Sequence, residues 1–71
     1  MAVHRTLALC RRLKHLRDNQ GFTQQHVAKY LGVSQAAYSR LEKGEIELGF
    51  SKLVSLSDLY GLPITKMLAD I

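Results

Sequence analysis

The 71-residue sequence has no tryptophan, one proline, one cysteine and only six acidic residues. A single cysteine, Cys10, cannot form an intrachain disulfide, so nothing in the sequence requires an oxidising compartment. No stretch approaches the roughly 18 consecutive apolar residues of a membrane span, and the apolar run at residues 7–10 is far too short for the core of a signal peptide. We therefore expect a cytoplasmic protein with no membrane partner.

The sequence also lacks the residue groupings that enzymes and metal sites require. His4, His15 and His26 do not fall at metal-ligand spacing, and no second cysteine could complete a site with Cys10. No carboxylate pair, nucleophile–base pair or glycine-rich phosphate loop is visible. We therefore expect no enzyme activity, no metal and no cofactor, and we interpret Cys10 as a small buried apolar residue.

Acidic residues are especially scarce in the first part of the chain. Residues 1–43 carry eight Lys or Arg against Asp18 and Glu42, a formal charge of +6, whereas residues 44–71 carry two basic and four acidic residues, a charge of −2. A basic half is typical of proteins that bind a polyanion such as nucleic acid. Charge alone equally allows an ordinary solvated surface.

What the sequence does contain is a helical pattern. No alternating apolar and polar run typical of a strand occurs, so we predict an all-α fold in a single domain over residues 1–71. Apolar spacing and boundary residues predict five helices. Their predicted ranges are 3–19, 24–31, 35–43, 50–61 and 64–71.

The second and third predicted helices lie very close together in the sequence. Thr23 and Ser34 are their predicted N-caps, and only Gly32 and Val33 separate Leu31 from Ser34. The two helices must therefore meet at a sharp angle, with Gly32 suited to a positive φ angle. This spacing is typical of a helix-turn-helix, here at about residues 23–43.

The apolar stripe of the first helix contains one basic residue, Arg17. It falls between Leu13 and Cys10 on the helical wheel, and a buried arginine needs an acidic partner. Glu42 borders the core face of the third helix beside Tyr38, so we predict that it pairs with Arg17. On the opposite face of the first helix we expect a solvated basic surface rather than a DNA-binding one: Arg5, Arg11, Arg12 and Lys14.

The third helix has two distinct faces. Ala37, Tyr38 and Leu41 fall together and are predicted to face the core. The other face is polar, small and basic, and it consists of Gln35, Ala36, Ser39, Arg40 and Lys43. By itself this could be an ordinary solvated helix face, but on the second helix of a helix-turn-helix in a basic domain it favours contact with DNA.

Residues 13–44, LKHLRDNQGFTQQHVAKYLGVSQAAYSRLEKG, resemble the lambda-type repressor and Cro (XRE-like) family of helix-turn-helix DNA-binding domains. The shared pattern consists of Leu-Arg at 16–17, Thr-Gln at 23–24, Val-Ala at 27–28, Leu-Gly-Val-Ser at 31–34, Ser-Arg at 39–40 and Glu-x-Gly at 42–44. The family's last two helices align without a gap through residues 53–68. The resemblance implies a five-helix, lambda-repressor-like fold that binds double-stranded DNA.

The resemblance also implies roles for individual residues. Base contacts are expected from Gln35, Ala36, Ser39 and Arg40, with Ala36 limited to an apolar contact such as a thymine methyl group. Arg40 stands where the family makes both base and phosphate contacts, so it suits a guanine or a phosphate. Phosphate contacts are expected from Thr23, Gln24, Ser34 and Lys43; Lys43 has the equal alternative of favouring the helix C-terminus through the helix dipole. Arg17 and Glu42 match a salt bridge of the family.

The loop after the third helix departs from the family. Glu45 and Glu47 stand where relatives often carry basic residues, so they are expected to repel DNA. Ile46 and Leu48 are unusually apolar for a loop. They support an alternative function, an antitoxin-like module that binds a second protein, with or without DNA.

The last predicted helix carries more apolar residues than one short helix can bury. By analogy with the family's last leucine, Leu68 is expected in the core, which leaves Ile64, Met67 and Ile71, with Leu48, as the expected dimer interface. We therefore expect a nucleoid-associated, sequence-specific regulator of transcription. More specifically, we expect a repressor that acts as a homodimer on a two-fold symmetric operator.

Overall fold

The computed structural model describes the backbone of residues 2–71 and the side chains of residues 7–71, so the predicted orientation of Arg5 lies outside the described side chains. Within residues 2–71 the fold is all-helical, as predicted, without a strand. The helices are α1 (Ala2–Asn19), α2 (Gln24–Leu31), α3 (Gln35–Glu42), α4 (Phe50–Tyr60) and α5 (Ile64–Met67). None of these helices combines the length and apolar character needed to cross a bilayer.

The predicted starts of α2 and α3 are confirmed by their N-caps, as is the predicted end of α2 at Gly32, whereas α3 ends one residue earlier than predicted. The Thr23 hydroxyl accepts a hydrogen bond from the backbone N–H of His26 at 3.0 Å, and the Ser34 hydroxyl accepts one from Ala37 at 3.0 Å. Each cap satisfies a backbone donor that has no partner within its helix. Gly32 ends α2 with φ 73°, in the left-handed region that its lack of a Cβ makes accessible.

The core is formed by side chains of α2 and α3 together with those of the helices that pack against them, α1, α4 and α5. Its buried side chains are Leu13, Val27, Ala28, Leu31, Tyr38, Leu41, Leu56 and Met67. Cys10 is also buried, as predicted, and burial raises the pKa of its thiol, with a smaller contribution from the charge of Glu42. Burying an aliphatic or aromatic side chain typically contributes about 1.5 to 3 kcal/mol, so this set dominates the stability of so small a domain.

The C-terminal helix is shorter than predicted, and two of its predicted side-chain positions are reversed. Met67 is 0% exposed and belongs to the core, whereas Leu68 is 39% exposed. The prediction of Met67 as an interface residue and of Leu68 as a core residue was therefore wrong. Leu68 was expected in the core by analogy with the family, but in the single turn of α5 the residue that faces the core is Met67. Adjacent residues of a helical turn point about 100° apart, so the burial of Met67 leaves Leu68 at the surface. Ile64 and Ile71 are half-buried.

Arg12 binds the backbone at this early helix end. Its Nη1 donates to the carbonyl oxygen of Met67 at 3.2 Å and also to that of Ala69. In a longer helix the Met67 carbonyl would instead accept the N–H of Ile71, which here bonds to Leu68. Arg12 is thus half-buried and holds α1 to the end of α5, contrary to the predicted solvated position.

The segment around the start of α4 also differs from the prediction. Phe50, expected on the apolar face of the fourth helix, is 73% exposed. Gly49 and Phe50 begin the helix outside the core, and Leu53 is the first α4 residue that packs against it. Ile46 and Leu48 are half-buried against the same core, which explains why this loop is apolar.

Candidate nucleic-acid interface

The angle between α2 and α3 is set by a three-residue turn. After Leu31 the Gly32 N–H donates to the carbonyl of Lys29 at 3.1 Å, and the Val33 N–H donates to that of Ala28 at 3.0 Å. These bonds close the last turn of α2 and redirect the chain, so that Ser34 can cap α3 immediately. Ala28 is buried where the helices cross, and its small side chain permits a close approach.

The buried side of α3 determines which side faces solvent. Tyr38 and Leu41 are buried and Ala37 is half-buried, in the orientation predicted from the wheel. The opposite face carries the predicted base-contacting residues: Gln35, Ala36 and Arg40 are exposed, and Ser39 is half-buried. This surface therefore presents an amide, a hydroxyl and a guanidinium, all able to donate hydrogen bonds to base edges.

The predicted phosphate-contacting residues lie at the ends of the same two helices. Thr23 and Ser34 are exposed, and each hydroxyl that accepts a capping bond still has its own proton to donate to a phosphate oxygen. Both stand at helix N-termini, where the helix dipole favours an anion. Lys43 is exposed at the C-cap of α3, which is compatible with a phosphate contact and with the dipole role alike.

Behind this surface, four residues form a connected group that we call the Glu42 cluster: Arg17, Gln24, Tyr38 and Glu42. The Arg17 guanidinium donates from Nε to Glu42 Oε2 at 2.6 Å and from Nη2 to Oε1 at 3.2 Å. Gln24 Nε2 donates to Oε1 at 3.1 Å, and the Tyr38 hydroxyl donates to Oε2 at 2.6 Å. The predicted Arg17–Glu42 pair is confirmed, and one carboxylate accepts four hydrogen bonds.

The Glu42 cluster is electrostatically balanced although it is buried. Burial alone would raise the pKa of the Glu42 carboxyl, but the hydrogen bonds from Arg17, Tyr38 and Gln24 outweigh it and hold that pKa below its ordinary value. The hydrogen bond to Glu42 raises the pKa of Arg17 in turn, against the opposing effect of burial. Burial, followed by the hydrogen bond to Glu42, raises the pKa of Tyr38. The carboxylate is therefore ionised and the phenol neutral near neutral pH.

Sequence reasoning missed two members of the Glu42 cluster. Tyr38 stands four residues before Glu42, a spacing that places side chains next to each other on a helix, so its hydroxyl could have been assigned as a donor. Gln24 gave no such signal, because its contact depends on the angle between α2 and α3. The half-buried amide of Gln24 donates one N–H to Glu42, and its second N–H is available for the predicted phosphate contact.

The end of α3 brings Arg40 together with Glu45, which sequence reasoning also missed. The Gly44 N–H donates to the carbonyl of Leu41 at 3.1 Å, and the Glu45 N–H donates to that of Arg40 at 2.9 Å. With Gly44 at φ 75°, this is a Schellman motif. The Arg40 Nε and Glu45 Oε1 atoms are 3.5 Å apart, so the acid predicted to repel DNA forms an ion pair with a predicted base-contacting residue.

Comparison with known proteins adds a family to this geometry. A helix-turn-helix family model matches residues 13–67. An HTH-type transcriptional regulator derived from the SPbeta prophage of Bacillus subtilis, YonR, is 35% identical over 51 residues, which cover 72% of this chain and 47% of YonR. HTH-type transcriptional regulatory proteins of Saccharolobus islandicus and Saccharolobus solfataricus are each 41% identical over 49 residues, covering 69% of this chain and 16% of theirs. The chain thus spans less than half the length of these relatives.

Proposed function

Because the chain belongs to the helix-turn-helix family, we propose that it binds double-stranded DNA sequence-specifically and thereby regulates transcription. The observation that carries the proposal is the outward face of α3. Its polar side chains stand free of the core, while Tyr38 and Leu41 fix the opposite face inside it. A helix held in this way can enter the major groove and contact bases along one side.

In this proposal the residues of α3 divide by chemistry. Gln35 suits a bidentate pair with adenine, and Arg40 suits guanine. Ser39 can donate to or accept from either, and Ala36 can only contact an apolar group such as the thymine methyl. Specificity on this surface therefore depends chiefly on Gln35 and Arg40.

Phosphate contacts would set the register of α3 in the groove. We assign them to the hydroxyls of Thr23 and Ser34, the amide of Gln24 and the ammonium group of Lys43. The positive charge of residues 1–43 supports this assignment, since attraction to the phosphate backbone supplies most of the sequence-independent affinity.

We further propose that the protein is a nucleoid-associated repressor that acts as a homodimer on a two-fold symmetric operator. One recognition helix contacts only a few base pairs, and a symmetric dimer doubles that number with half-sites about 34 Å apart. Among the described side chains four large apolar ones are exposed: Leu7, Tyr30, Phe50 and Leu68. Phe50 and Leu68 lie in the acidic part of the chain, so contact between two copies through them would leave the basic part free for DNA. Ile64 and Ile71 are half-buried and remain candidates for the same interface.

An antitoxin-like module that binds a second protein is the alternative. Its original support, Ile46 and Leu48, is weakened because both side chains pack against the core. The exposed ring of Phe50 is the observation that still favours it.

Selection of binding sites from a random duplex library tests the proposal directly, and we expect a short symmetric motif to emerge. Affinity for the selected duplex should then fall roughly 10³- to 10⁵-fold between about 50 and 200 mM salt, as for a dimer with about 6 to 10 phosphate contacts. Failure to enrich any motif, or an affinity almost independent of salt, would contradict the proposal.

A further inference from the structure

The exposed end of α3 pairs a basic and an acidic side chain. Arg40 Nε lies 3.5 Å from Glu45 Oε1, and the two side chains are 60% and 53% exposed. Exposed ion pairs are common and weak when nothing else fixes their geometry. Here the backbone holds the two residues next to each other, because the Glu45 N–H is bonded to the carbonyl oxygen of Arg40 itself.

The sequence specifies this arrangement locally. The left-handed conformation of Gly44 turns the chain back over the last turn of α3, and the next residue is then held above Arg40. A side chain at position 44 would be strained by this φ angle, and a Cβ there would lie 3.0 Å from Leu7 Cδ2. Glu45 therefore stays beside Arg40 as long as α3 ends at this glycine.

We propose that Glu45 is a specificity-determining residue, which holds Arg40 for a guanine and opposes its capture by phosphates. The inference rests on the proposed DNA-binding function. Glu45 engages the guanidinium at Nε and leaves Nη1 and Nη2 for the O6 and N7 atoms of guanine, which accept a bidentate pair in the major groove. A specific complex can therefore form while the ion pair is kept.

A nonspecific complex is affected differently. It depends on phosphate contacts, for which a mobile arginine would be a strong donor. The guanine edge carries no formal charge, but a phosphate bound by Arg40 would bring its negative charge close to the Glu45 carboxylate. If Arg40 instead left Glu45, the carboxylate would lie unpaired near the negatively charged backbone. Glu45 should therefore weaken nonspecific binding more than specific binding, which increases the ratio between the two affinities.

A general electrostatic effect is the competing explanation, and the chain offers a matched control for it. Glu47 lies two residues further along the same loop, is exposed, and forms no ion pair among the described side chains. Glu47→Gln removes the same charge as Glu45→Gln without releasing Arg40. Any difference between the two variants reports on the Arg40–Glu45 pair.

The experiment measures dissociation constants for the selected duplex and for a scrambled duplex of equal length, over a series of salt concentrations. Glu45→Gln should tighten binding to the scrambled duplex about two- to fivefold more than Glu47→Gln does, the range expected from an exposed ion pair. It should change affinity for the selected duplex by less. The slope of log affinity against log salt on the scrambled duplex should steepen by about 0.9, since one phosphate contact is gained.

The same comparison in an Arg40→Gln background completes the test. There the two glutamate variants should behave alike, because no arginine remains to be released. Equal effects in the Arg40 background, or a difference that persists without Arg40, would overturn the inference and leave DNA binding intact. If neither the wild type nor any variant with unchanged helix content binds duplex DNA, the proposed function fails and the inference fails with it.

Discussion

Replacing Glu42 by glutamine removes the only negative charge from the Glu42 cluster while keeping nearly the same shape. The amide oxygen of the new glutamine can still accept hydrogen bonds, but its NH₂ group cannot replace the carboxylate oxygen that accepts from Arg17, because a guanidinium has no acceptor. The Arg17 guanidinium, whose side chain is 10% exposed, then lacks its principal counter-charge. The perturbation therefore tests charge pairing rather than packing.

The structure sets the size of the expected effect. Removing one partner of a buried ion pair typically costs about 3 to 5 kcal/mol. Arg17 retains the Phe22 carbonyl at 2.9 Å and the exposed Asp18 carboxylate at 3.4 Å, so we expect the lower end, about 3 kcal/mol. A domain of this length has a total stability of about 4 to 10 kcal/mol, so the variant should lose roughly a third of it or more.

Urea unfolding followed by circular dichroism measures this loss, and a double-mutant cycle with Arg17→Met isolates the pair. We expect a coupling free energy of about 2 to 3 kcal/mol, at the upper end for residues in contact. Lys14 and Asp18, 3.0 Å apart and about half exposed, provide a control pair whose coupling should stay below about 1 kcal/mol. A cycle in which Arg17 and Glu42 couple no more strongly than this control would refute the reasoning.

Three further outcomes are expected. Gln35→Ala should relax base preference at one position of the selected motif and cost about 1 to 3 kcal/mol of binding free energy, whereas Lys43→Ala should weaken binding to all duplexes alike. If Gln35→Ala selects the same motif as the wild type, Gln35 does not have the proposed role. Because the folded state lowers the pKa of Glu42, the free energy of unfolding should fall as pH drops below the ordinary value of 4.5, and Glu42→Gln should flatten that dependence in urea titrations. Leu68→Asp should reduce self-association in sedimentation equilibrium while helix content stays intact, whereas Met67→Asp should unfold the domain. If the wild-type protein is a monomer at concentrations on the order of tens of micromolar, the dimer proposal is wrong.

Much of the helix-turn-helix could be predicted because its determinants are local. Thr23, Ser34 and Gly32 mark helix ends through their own backbone and side-chain chemistry, and the structure uses each of them as expected. The Arg17–Glu42 pair was predictable for a different reason. A basic residue inside an apolar stripe must have an acidic partner, and Glu42 stands at the border of the core face of α3.

The features that sequence reasoning missed depend on how elements meet. The burial of Met67 rather than Leu68 depends on how α5 packs against the core, and the end of α5 is bound by Arg12, a residue more than fifty positions earlier in the chain. The exposure of Phe50 depends on how the first turn of α4 lies relative to the core. The Arg40–Glu45 pair depends only on nearby residues. It was missed because only the charge of Glu45 was considered, and not the turn at Gly44 that places Glu45 beside Arg40.

The convergence of donors on Glu42 has a consequence for how the domain opens. The carboxylate belongs to α3, and it is held by Arg17 from α1 and by Gln24 from α2. If α1 or α2 separates from α3 alone, the Glu42 carboxylate loses hydrogen bonds that compensate its burial. Partial opening of these three helices is therefore disfavoured. Their slowest amide protons should therefore exchange together through a common opening, whereas α5, a single turn, should exchange sooner. Motion of the exposed face of α3, the proposed DNA-binding surface, relative to α1 therefore requires that common opening and costs its free energy.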